Sequence, residues 1–71
     1  MNLRNAEVGK EYIVSEILTE DEELDSFLFS LGCYSGEAIT VISRGRSNMV
    51  LSIKDGRYSI DLNLAEAILV K

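Results

Sequence analysis

The stretch Leu28-Phe29-Ser30-Leu31-Gly32-Cys33-Tyr34-Ser35-Gly36-Glu37-Ala38-Ile39-Thr40-Val41 passes from helix to strand with its own punctuation. Leu28 and Leu31 complete a series begun by Leu24 and Phe27, at positions i, i+3, i+4 and i+7, which is one face of a helix. Gly32 stands where a left-handed C-terminal cap stops a helix. Tyr34-Ser35-Gly36-Glu37 has turn composition, and Ala38-Ile39-Thr40-Val41-Ile42-Ser43 reads as a strand because β-branched residues dominate it.

Upstream, Thr19-Glu20-Asp21-Glu22 fits a capping box, with Thr19 accepting from the backbone at Glu22. Glu20, Asp21, Glu22 and Glu23 complement the positive end of the helix dipole. Before them, Tyr12–Ile17 is a first strand, preceded by a polar lead-in, Asn5–Lys10, anchored by Leu3 and Val8. Downstream, Arg44–Asn48 carries Gly45 and no apolar residue, and is expected to be an exposed loop. Met49–Lys54 and Arg57–Leu62 are strand-like, and Asp55-Gly56 between them favours a type I′ hairpin turn with positive φ at Gly56. Asn63–Glu66 is a single helical turn and Ala67–Val70 a short last strand. The fold class is therefore mostly β: a small closed barrel of five strands, with one α-helix between strands 1 and 2.

With 71 residues the chain is expected to be one domain, 1–71, and its 46% apolar content suffices to fold without a staple. Cys33 is the lone cysteine, so no internal disulfide forms, and a small domain without one reads as cytoplasmic. The N-terminus lacks the apolar run of a signal peptide, and the longest apolar stretch, Ala67–Val70, is far below the roughly 20 residues of a membrane span. A net charge of −5 repels phosphate polymers, which argues against nucleic acid as a partner.

Catalytic chemistry is missing. The chain has no histidine, hence no imidazole base, imidazole metal ligand or Cys–His pair. Cys33 cannot make a thiolate metal site alone, and no phosphate-cradling glycine motif occurs. The acidic run Glu20–Glu23, extended by Asp25, lacks calcium-loop spacing and reads as a solvated helix start. No catalytic residue, cofactor or metal ligand is assigned. Phe29 falls well off the helix's apolar face and is left to face solvent or a partner. Tyr34 either extends the same patch or plugs the barrel end.

Taken together, this spacing resembles the Leu-x-x-Leu-Gly-x-x-x-Gly-x-x-Ile-x-Val signature of FeoA proteins, matched here from Leu28 to Val41. The likeness continues in Leu3, Gly9 and Tyr12-Ile13-Val14, then in Arg57-Tyr58-Ser59-Ile60 and Ala65–Val70. FeoA proteins are bacterial SH3-like domains that accompany the ferrous-iron transporter FeoB, and a similar module ends iron-dependent repressors of the diphtheria-toxin-repressor type. Met1 with no DNA-binding region before it fits the free-standing form. Two departures stand out: Ser47-Asn48-Met49 replaces the Gly-Asp-Pro turn of many relatives, and Asp25-Ser26-Phe27 replaces their helix arginines.

The resemblance implies a cytoplasmic accessory protein of ferrous-iron uptake that binds the cytoplasmic part of FeoB, not an enzyme. Phe29 and Tyr34 are then the expected apolar contacts, and Arg44 and Arg46 the expected loop contacts. The alternatives are a protein-interaction module of an iron-dependent regulator or other adaptor, and a weak transition-metal sensor using Glu20, Asp21 and Glu23. An adaptor for proline-rich ligands needs an aromatic-lined groove, whereas the five aromatic residues are scattered along the chain and tryptophan is missing. Self-association is compatible with the sequence.

Overall fold

Alternation of buried and exposed residues sets the sheet. The computed structural model describes residues 1–71. It contains β1 (Glu11–Ile17), α1 (Glu22–Leu31), β2 (Ala38–Arg44), β3 (Asn48–Ile53), β4 (Gly56–Asp61), α2 (Leu62–Glu66) and β5 (Ile68–Val70), preceded by a 3₁₀ turn over Leu3–Asn5. In β3, Met49, Leu51 and Ile53 point inward while Asn48, Val50 and Ser52 do not, the period of two that a half-buried strand requires.

The strands form one antiparallel sheet in the order β4-β3-β2-β1-β5. β1 serves two neighbours: Glu11, Tyr12 and Ile13 pair with β2, whereas Val14, Glu16 and Ile17 pair with β5 beyond a register shift. That shift bends the sheet over its core. No ladder joins β4 to β5, so the expected closed barrel is open along one seam. There α2 packs against β3, β4, β5 and the 3₁₀ turn, covering the gap where no strand ladder forms. Seventeen buried apolar residues form one core, from Leu3 to Val70, and no polar side chain is buried with them.

Four local expectations need correction. The N-cap of α1 is Asp21, whose carboxylate accepts from the Glu23 and Leu24 amides, while the Thr19 hydroxyl accepts from the Asp21 amide. Two short oxygen-bearing side chains compete for one helix start, and the one nearer the helix wins. The apolar stripe is only partly covered: Leu28 is fully buried and Leu31 packs at the core edge, but Leu24 and Phe27 are 39% and 44% exposed. The β3–β4 turn is Lys54-Asp55, with Ile53 paired to Gly56, so the positive φ (54°) falls on Lys54 and not on Gly56. Positive φ at only the first turn residue is the type II′ pattern, not type I′. Val8 is half exposed and joins the sheet through a backbone bridge to Val41, so Leu3 alone anchors the lead-in by its side chain.

Candidate functional site

Gly32 positions the most distinctive surface. Its φ of 93° is the left-handed cap, and the Gly32 and Cys33 amides close the helix on the Phe29 and Leu28 carbonyls. The chain then doubles back, and Tyr34 lands against Phe29 with ring centroids 4.9 Å apart and planes tilted by 32°. Phe29 is 65% exposed, the most exposed large apolar residue of the chain. This pair borders an open groove of about 550 Å³ between the end of α1 and the β3–β4 turn.

The far wall comes from the hairpin. Ile53 and Tyr58 line it, and the Tyr58 ring lies over Gly56 so closely that a side chain there would overlap it. Three aromatics that are scattered in the sequence thus share one groove. Lys54 at its lip donates to the Tyr34 hydroxyl at 2.9 Å and lies 3.7 Å from the Glu37 carboxylate. These contacts, the Tyr34 hydrogen bond first, hold the Lys54 ammonium above its ordinary pKa. Its nitrogen is 5.2 Å from the Tyr34 centroid, and with the hydroxyl so near it sits off the ring's end rather than over its face. The groove therefore combines an apolar rim with one cation at its lip.

Arg44 and Arg46 stand elsewhere. Arg44 pairs with Met49 at the opposite end of the β2–β3 ladder from Ile39–Ile53, and its guanidinium donates to the Ala6 carbonyl. Arg46 lies in the exposed connection Gly45–Ser47, beside Arg4 and Asn63. A seven-residue β2 separates the two ends by roughly 20 Å, so the structure unites Phe29 with Tyr34 but not with the arginines. Arg44 and Asn48, read as loop, close the ladder as strand residues.

Cys33 is buried, and desolvation pushes its thiol up to about 11, the opposite of an activated cysteine. No three His, Cys, Asp or Glu side chains converge in a geometry that could hold a metal ion. Sequence reasoning missed Lys54 and Tyr58 as members of the groove. The alternation of β4 marks Tyr58 as one of its inner or outer residues, but only the hairpin register brings it opposite Phe29.

No helix is long and apolar enough to cross a membrane. Comparison with curated proteins by sequence gives no match. Among solved structures, an iron uptake regulatory protein, FeoA, superposes with a TM-score of 0.90 at 25% identity, over 100% of this chain and 95% of that one. FeoA of Stenotrophomonas maltophilia complexed with zinc, described as an SH3 domain protein, matches with a TM-score of 0.88 at 16% identity, over 100% and 89%. A manganese-dependent transcriptional repressor carries the same fold, with a TM-score of 0.89 and 19% identity, over 99% of this chain and 40% of the repressor. The FeoA domain family matches residues 1–71 in full, and with the SH3-like sheet, the Gly32 cap and the Leu28–Val41 signature in place, the chain belongs to that family.

Proposed function

We propose that this chain is a cytoplasmic accessory protein of ferrous-iron uptake, which docks on the cytoplasmic part of a FeoB-type transporter and modulates it by binding. The observation that carries this reading is the Phe29–Tyr34 pair: an exposed aromatic held at a defined place by a neighbouring ring and a rigid helix cap. Preorganised aromatics supply binding energy at low entropic cost, as hot-spot residues do. Lys54 adds a fixed cation for a carboxylate or carbonyl of the partner. Arg44 and Arg46 supply a separate contact at the other end of the β2–β3 ladder. FeoA membership and the FeoA structures among its neighbours support the iron-transport setting.

The test is a calorimetric titration against the cytoplasmic domain of the FeoB-type protein from the same organism. Phe29→Ala should weaken binding about tenfold or more, the usual loss for an aromatic anchor. Normal binding by a folded Phe29→Ala protein, with loss on Arg46→Ala, moves the interface to the Gly45–Ser47 connection.

The second reading is an interaction module of a metal-dependent regulator, favoured by the fold shared with the manganese-dependent repressor. Co-purification of the tagged chain separates the two: a transporter supports the first, a DNA-binding protein the second.

A further inference from the structure

The face of α1 turned away from Phe29 carries a second groove. Leu18, Leu24, Leu64 and Ala67 form its apolar part, and its volume is about 390 Å³. Leu18 is fixed there because its amide donates to the Ala67 carbonyl at 2.7 Å, yet the residue is 56% exposed. Leu24 is 39% exposed, and Phe27 extends the same helix face by one turn. At 100° per residue, Phe27 and Phe29 lie on nearly opposite sides of the helix, so this surface is distinct from the aromatic groove.

Its charge is one-sided. Glu20 and Asp61 line it and no lysine or arginine does. Glu22, Glu23 and Asp25 stand on the adjoining turn of α1, and neither ion pair of the chain, Arg4–Glu66 or Lys54–Glu37, involves any of these five carboxylates. A second copy docked here by two-fold symmetry would set these carboxylates against themselves. Anionic lipid and nucleic-acid phosphates are repelled for the same reason. The complementary occupant is apolar at its centre and cationic at its edges.

We infer that this groove docks a short basic amphipathic segment of a partner protein, with leucine-sized side chains against Leu18 and Leu24 and lysines or arginines facing Glu20 and Asp61. It is the helix-in-groove mode of peptide recognition with an acidic rim that selects the partner's charge. The inference stands apart from the Phe29–Tyr34 reading, since neither ring contributes to this groove.

The test uses the ¹⁵N-labelled full chain and three synthetic peptides: Leu and Lys at helical spacing, the same with Glu for Lys, and the same with Ser for Leu. The Leu/Lys peptide should shift the amides of Leu18, Leu24 and Ala67, and its affinity should fall about tenfold in Leu24→Ser or Leu18→Ser. Glu20→Lys, at an exposed position, should weaken it as well, and Phe29→Ala should leave it unchanged. The Glu peptide should not bind. Equal binding of the Ser/Lys peptide, shifts mapping to another surface, or unaltered affinity in folded Leu18, Leu24 and Glu20 variants would overturn the assignment. A dimer in sedimentation, or binding to phosphatidylglycerol vesicles, that Leu24→Ser abolishes would overturn it too, in favour of a second copy or a membrane.

Discussion

Phe29 stacks on Tyr34 at 4.9 Å while its neighbour Leu28 is sealed in the core, so adjacent helix residues serve opposite ends. One faces outward and the other holds α1 to the sheet.

That division gives a stability prediction. Leu28→Ala should cost about 2–5 kcal/mol, because a fully buried leucine leaves a cavity. For a domain of this size that is a large part of the total. Leu31→Ala, at the core edge, should cost less, and Phe29→Ala under about 1 kcal/mol, since only the ring pair is lost. Thermal unfolding of the three variants checks the order; a Phe29 variant as unstable as the Leu28 variant would make Phe29 a core residue.

Gly56→Ala should destabilise for a steric reason. The added methyl meets the Tyr58 ring, with the nearest ring carbons at 2.5 and 2.7 Å before relaxation. The expected loss is about 1 kcal/mol. Tyr58→Ser in the same chain should remove most of that penalty, which a double-mutant cycle by chemical denaturation measures. No coupling would mean that the backbone of the turn, not the ring, sets the glycine requirement.

Cys33 predicts the alkaline limb of stability. Its thiol titrates near 9.0 when exposed and near 11 in the fold, because burial disfavours the thiolate. A raised folded pKa stabilises fully below the unfolded value and ceases to help as pH climbs from 9 toward 11. Unfolding followed from pH 8 upward, at about one-unit steps, should show this loss in the wild type and a flatter profile in Cys33→Ala. Alkylation of Cys33 at neutral pH should be slow until the protein unfolds.

Metal titration should show weak binding only. The carboxylates at the start of α1 are exposed and no three donors converge. Calorimetry with Fe²⁺ or Zn²⁺ under reducing conditions should find no site tighter than about micromolar. A stoichiometric nanomolar site would refute this.

The strands were readable because their composition and alternation are local properties: Ala38–Ser43 and Met49–Lys54 declare themselves by β-branched residues and a period of two, the second running one residue into the turn. Gly32 was readable because one residue type suits a left-handed cap. Less legible was how much of a periodic face is covered. Leu24 and Phe27 share the stripe of Leu28, but α1 meets the sheet only with its final turns, and helical spacing carries no information about where two elements cross. The hairpin turn slipped by one residue because Asp-Gly is a strong local preference, which the Ile53–Gly56 register overrides. Half of the aromatic groove was visible as Phe29 off the helix face and Tyr34 beyond the cap. Tyr58 and Lys54 were not, since their proximity depends on long-range pairing.

The Met1 carbonyl accepts from the Val70 amide at 2.8 Å, and Asn2 bridges to Leu69, so the first and last residues meet beside β5. A unit with coincident ends can be spliced into a longer polypeptide at a single point without stretching. The same proximity makes the unit permutable: a short linker from Lys71 to Met1, with new ends opened at Gly45–Ser47, keeps every strand intact.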